Sequence, residues 1–133
     1  MFGLLRSASK SIGAWGEEYI ASVYQRKGYR ILGRNFFNRS GKRMGEIDLV
    51  VAKDRSLVFV EVKTRTSHSY GTPAEAVTPW KQNRLIAACK YFLISHPQYA
   101  DYDYRIDVAE LSTDLDRSRK SVRIIMNAVE DNR

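Results

Sequence analysis

The stretch Gly45-Glu46-Ile47-Asp48-Leu49-Val50-Val51, followed after a polar break by Leu57-Val58-Phe59-Val60-Glu61-Val62-Lys63, decides the fold. Both runs are rich in β-branched residues, and the break Lys53-Asp54-Arg55-Ser56 suits a turn, so the pair reads as an antiparallel hairpin. With a loop symmetric about Asp54-Arg55, Asp48 falls opposite Glu61 and Glu46 opposite Lys63. Facing residues share one side of the sheet with Cβ atoms about 4.5–5.5 Å apart, where like charges repel. A proton shared between the acids would relieve that repulsion by raising one pKa. A divalent cation with hard oxygen ligands would relieve it better. Strand side chains alternate, so Lys63 shares the face of Glu61. That face also carries Leu57 and Phe59, a costly setting for an uncompensated carboxylate pair.

Taken as chemistry, Asp48, Glu61 and the carbonyl oxygen of Val62 suit a magnesium ion, with water and a substrate phosphate completing its shell. Such an ion would make a bound water more acidic and clamp a phosphoryl oxygen, while Lys63 would orient the nucleophile and stabilise the developing charge. The expected reaction is metal-assisted phosphodiester hydrolysis. The plainer reading is a solvated sheet face decorated by Glu46–Lys63 and Asp48–Arg65 pairs, worth about 0–1 kcal/mol each.

Working outward, Ile12, Trp15, Tyr19, Ile20, Val23 and Tyr24 recur at helical spacing from about Ser9 to Lys27, and Gly28 ends the helix. Glu17 lies at the edge of the apolar stripe and Glu18 on the polar side, so Glu17 is the acid able to look inward. Tyr29 to Leu32 is a short strand, and Asn38 to Arg43 a basic loop. Thr72-Pro73-Ala74-Glu75 matches a capping box for a short turn, and Thr78-Pro79 starts a helix from about Pro79 to Ser95 that buries Leu85, Ile86, Cys89, Phe92 and Leu93. Proline at position 97 stops it. Tyr102, Tyr104, Ile106 and Val108 alternate with polar residues, as in a strand with one wet face, and Val122 to Val129 forms a last strand. The order predicts a three-layer α/β domain, a mixed β-sheet flanked by helices.

The chain has 133 residues and a net charge of +7, and reads as a single domain with residues 1–8 and 130–133 frayed. The positive balance favours polyanions. Met1 to Trp15 contains no continuous apolar segment, which predicts a cytoplasmic protein with no membrane partner. The single cysteine, Cys89, has no partner at metal-ligand spacing and is expected as a small buried hydrophobe. His68 reads as a solvated loop residue and His96 as a helix-end residue favoured by the dipole. Trp15 and Trp80 are expected to pack at the core or rim in preference to serving as base-stacking platforms.

These residues carry a resemblance. Asp48 and Glu61-Val62-Lys63 across a hairpin, with Glu17 on a preceding helix, resemble the restriction-endonuclease-like PD-(D/E)xK nuclease superfamily, in its Holliday-junction-resolvase-like branch. Gly13, Gly16-Glu17, Arg34-Asn35, Gly45 to Leu49, Val58 to Arg65, Gly71 to Val77 and Lys81 are similar to the YraN-like family of uncharacterised bacterial proteins. The resemblance implies a restriction-endonuclease-like fold and a magnesium or manganese site at Asp48 and Glu61. It also implies a catalytic Lys63, a supporting Glu17, and a polar residue from the following helix, Gln82 or Lys81. Ile47 stands where the superfamily name has proline. Arg34, Lys42, Arg43, Arg65, Lys81 and Arg84 are candidate phosphate contacts. The implied partner is nucleic acid, DNA before RNA, with branched DNA and a homodimer as extensions. The rival expectation is a nucleic-acid-binding or partner-recruiting module that keeps the fold without turnover.

Overall fold

The computed structural model describes residues 11–37, 45–66 and 77–130. Its elements are α1 (Ile12–Arg26), β1 (Arg30–Phe37), β2 (Glu46–Lys53), β3 (Ser56–Thr66), α2 (Pro79–Ser95), a 3-10 turn (Pro97–Tyr99), β4 (Asp103–Thr113) and β5 (Lys120–Ile125). The expected basic loop at Asn38–Arg43, the turn at Thr72–Glu75 and His68 lie outside the described residues.

Ser11 caps α1 by accepting from the Ala14 N–H at 3.1 Å, and Thr78 caps α2 by accepting from the Lys81 N–H at 3.2 Å, with proline in the first turn. The five strands lie in the order β1-β2-β3-β4-β5, antiparallel except for β3 and β4, which run parallel because α2 carries the chain between them. The hairpin register is the expected one: Leu49 pairs with Val60 and Lys53 with Ser56 around a two-residue turn at Asp54-Arg55.

Each face of the sheet packs on one helix. Ile20, Ala21 and Tyr24 of α1 pack with Leu49, Val51, Val58, Val60, Ala109 and Leu111. Leu85, Ile86, Ala88, Cys89 and Phe92 of α2 pack with Val50, Ala52, Leu57, Phe59, Ile106 and Val108. Leu93 is only half-buried against this second cluster. Double coverage is why β2 and β3 read as nearly continuous apolar runs. The result is a three-layer α/β architecture of the restriction-endonuclease-like kind.

Three strands differ from the sequence expectation. β1 runs from Arg30 to Phe37, beyond the short strand expected at Tyr29 to Leu32, because its second half pairs with β2, Arg34 with Leu49 and Phe36 with Ile47. β4 has no wet face through its middle, since residues 106–111 are all buried, because it lies between β3 and β5 and under the helices. Its polar residues are paired instead. The fully buried Asp107 accepts from the Tyr24 hydroxyl at 2.8 Å, the Arg105 Nε at 2.9 Å and the Asn127 N–H at 3.0 Å. The last strand stops at Ile125 and is a partly exposed edge; Val129 reaches the core beyond it, where the Ala128 N–H donates to the Ile106 carbonyl at 2.8 Å.

Gly16 sets the height of α1 over the sheet. A Cβ at that position would overlap Thr64 Oγ1 of β3, so only glycine permits the approach that carries Glu17 to the sheet. Gly16→Ala is expected to destabilise the fold by about 1–3 kcal/mol, the usual range for overpacking, as a lowered urea midpoint. An unchanged midpoint would show that the layers do not meet this closely.

Candidate active site

The acids gather where β2 and β3 part. Regular pairing of the two strands stops at Leu49–Val60, and one step beyond it Asp48 and Glu61 come opposite each other. There the Asp48 carboxylate accepts the backbone N–H of Val62 at 2.9 Å, a side chain taking the place of a ladder hydrogen bond. In a strand the N–H and C=O of one residue leave on the same edge, so the Val62 carbonyl also faces the opening toward Asp48. The pleat is irregular here too: Ile47 packs on the α2 side with Val50, three residues on, instead of alternating away from it.

On the other side of β2, Arg34 pairs with Leu49 and Phe36 with Ile47, which sets Asn35 opposite Asp48. Asn35 is held at φ 52°, a left-handed conformation that asparagine tolerates better than most residues. With its amide nitrogen turned toward the acids, it donates to Glu46 Oε1 at 3.0 Å and Glu17 Oε1 at 3.2 Å. Acids from both layers thus meet at one end of the hairpin.

Their mutual influence appears in their protonation. Burial, a side-chain hydrogen bond with Asp48 and the charge of Asp48 push the Glu61 carboxyl up to about 8, against the smaller opposing pull of Lys63 and Lys81. Burial, then Asp48 and Glu46, raise Glu17; burial, then Asp48, raise Glu46. Asp48 is the charge felt by all three.

Asp48 and Glu61 open into a cavity of about 350 Å³ shared with Gly45, Glu46, Trp80, Lys81, Arg84 and Leu85. Gly45, at φ +99°, lets β2 pass close to α2: a Cβ there would stand 3.0 Å from the Arg84 carbonyl oxygen. Trp80 is 65% exposed and carries the Arg84 guanidinium 4.7 Å from its ring centroid. Trp15 is half-buried instead, its ring 5.9 Å from that of Tyr19.

The expected site residues divide by position. Asp48, Glu61, Lys81 and Arg84 line the cavity, Lys63 lies near enough to lower the Glu61 pKa, and Arg34 acts on Glu17 in the same way. Gln82 is turned to its own helix start, donating to the Val77 carbonyl at 3.0 Å, so the structure puts Lys81 on the wall in its stead. Arg65 is held elsewhere: its Nε lies 2.7 Å from Glu110 Oε2 in a largely buried pair, because parallel β4 brings that acid alongside the end of β3. Lys42 and Arg43 lie outside the described residues. The hairpin reading missed Glu46 as a member of the acid group, having paired it across the strands with Lys63; strand divergence before that pair is the reason. Asn35 carried only the signal of sitting beside Arg34 in a basic, polar stretch.

The donor set fits a divalent cation. Two carboxyl groups within hydrogen-bond reach retain a proton that ordinary carboxylates would have lost, and a backbone carbonyl faces the same opening. Among the described residues no group of three His, Cys, Asp or Glu side chains is arranged to hold an ion alone, so a bound ion would draw on that carbonyl and on water.

A three-layer α/β fold with a paired-carboxylate cavity at the mouth of a hairpin defines the class. The model of the uncharacterised protein family UPF0102 matches residues 16–111, and the chain belongs to that family, the YraN-like family. A UPF0102 protein of Clostridium perfringens (strain 13 / Type A) is 40% identical over 124 residues, covering 93% of this chain and 98% of the relative. One from Syntrophomonas wolfei is 42% identical over 120 residues, covering 90% and 98%. One from Clostridium botulinum (strain Hall) is 38% identical over 123 residues, covering 92% and 96%.

The raised Glu61 has a consequence for stability. An acid whose pKa rises on folding, here from 4.5 to about 8, favours the folded state at low pH, and that contribution is lost as pH climbs through the folded value. Without divalent ions, stability should therefore fall across about pH 5–9, and Glu61→Gln should flatten the decline. Urea midpoints measured in chelator would read it; an equal slope in the variant would place the proton elsewhere.

Proposed function

We propose that this protein hydrolyses phosphodiester bonds in nucleic acid, DNA before RNA, using a magnesium or manganese ion held by Asp48, Glu61 and the Val62 carbonyl. The observation that carries the reading is the pair itself. Asp48 and Glu61 share a hydrogen bond, with the Glu61 pKa raised to about 8, in a cavity whose opposite wall presents Lys81 and Arg84. A structural ion pair has no need of two facing acids. A phosphate-handling site has need of both the acids and the cations beside them.

Each residue then has a task. The Val62 N–H fixes the rotamer of Asp48, so its second oxygen is aimed without further ordering. Glu61 would release its proton to solvent in order to hold a cation. When bound, the ion would supply positive charge to a phosphoryl oxygen and acidity to an attacking water. Lys63 orients the nucleophile and offsets the negative charge that develops. Lys81 and Arg84 draw the phosphate backbone across the cavity, helped by the +7 charge of the chain. Glu17 and Asn35 steady the acids from the α1 side. Kinship in motif with the resolvase-like branch extends the proposal to branched DNA handled by a two-fold assembly.

Magnesium-dependent cleavage of linear, flapped and four-way DNA and RNA substrates tests this. Asp48→Ala and Lys63→Ala should each lower turnover by about 10²-fold or more. Glu61→Ala should also abolish stabilisation of the fold by magnesium, read as a Tm shift, while Lys63→Ala retains it. Binding without metal-dependent cleavage of any substrate would favour the non-hydrolytic module.

A further inference from the structure

We infer that the exposed indole of Trp80 is a stacking platform for an unpaired nucleobase, held beside the phosphate that faces Asp48 and Glu61. The inference rests on the nuclease reading and narrows its substrate to nucleic acid with a single-stranded or open nucleotide at the site.

Trp80 is 65% exposed, although tryptophan is on average a highly buried residue. Its ring belongs to the cavity wall shared with Asp48, Glu61, Lys81 and Arg84. It is also well anchored. Thr78 caps the helix and Pro79 fixes its first turn, so the indole projects from a rigid helical start. Four residues on, one helical turn away, the Arg84 guanidinium lies over one face of the ring, 4.7 Å from its centroid, so a base would stack on the opposite face.

These features suit one occupant. A nucleotide offers a negative phosphate and a flat π-face at fixed separation, and the wall offers cations beside a flat aromatic face. An apolar peptide would have no use for Lys81 and Arg84, and a plain anion none for the indole. In an intact duplex the bases are already stacked on each other. An open end, flap, gap or junction frees one for the indole, so the platform selects such structures without reading base identity.

The test uses the full chain in chelator with Trp15→Phe, which leaves Trp80 as the sole tryptophan of the two in the sequence. A single-stranded oligonucleotide should quench Trp80 fluorescence more strongly than a blunt duplex of the same sequence. By anisotropy of a labelled strand, Trp80→Ala should weaken single-strand binding about 5- to 100-fold, as for loss of one base–aromatic stack. Duplex affinity should change by less than about twofold, since phosphate contacts carry it. Trp80→Phe should restore most of the single-strand affinity. Equal single-strand affinity in Trp80→Ala and parent would overturn the platform while leaving the hydrolysis reading standing. If the parent bound no nucleic acid of either form, both readings would fall together.

Discussion

Two acids set face to face on neighbouring strands are the constraint on which the hairpin end depends. Asp48 and Glu61 stand one residue past the last regular pair, both half-buried on the wall of the cavity. Such a pair cannot ionise fully at neutral pH without a partner of opposite charge. The fold answers locally by keeping a proton on Glu61 and by giving Asp48 a backbone N–H to hold. That same answer opens the ladder, because a side chain has taken the place of a strand-to-strand bond. The opening is the cavity.

Around this point the sheet is otherwise conventional, and its buried charges are met by pairing. Asp107 lies wholly within the α1-side layer and survives there because Tyr24, Arg105 and the Asn127 N–H surround its oxygens. Arg65 and Glu110 do the same for each other near the end of β3. The acids at the cavity differ from these. They face one another, and the cations near them, Lys81 and Arg84, stand on the far wall at a spacing that leaves room for a ligand. A charge network built only for stability would close that gap.

The two layers supply different things to the site. From α1 and β1 come Glu17 and Asn35, tied together by the Asn35 amide and brought near by the bare backbone of Gly16. From α2 come Lys81, Arg84 and the indole of Trp80, admitted close to β2 by Gly45. Negative charge thus gathers at the sheet and positive charge on the helix opposite. That polarity suits a phosphate lying between them. Among the described residues no helix is long and apolar enough to cross a membrane.

Much of this was legible in one dimension, and the reason is periodicity. The alternation of β2 and β3 and the symmetry of the turn at Asp54-Arg55 are local properties, so the sequence by itself determined the facing of Asp48 and Glu61. Helical spacing and the Thr78-Pro79 start likewise determined α2 from Pro79 to Ser95. Only the tertiary structure decided what depends on neighbours far along the chain. The burial of both faces of β4 follows from its place inside the sheet, and the pairing of Arg65 follows from parallel β4, which no local pattern announces. The choice of Lys81 over Gln82, the entry of Glu46 and Asn35 into the acid group, and the exposure of Trp80 came from where the strands part and how closely α2 approaches. Those are matters of packing between layers, and side-chain spacing along one strand or helix carries no record of them.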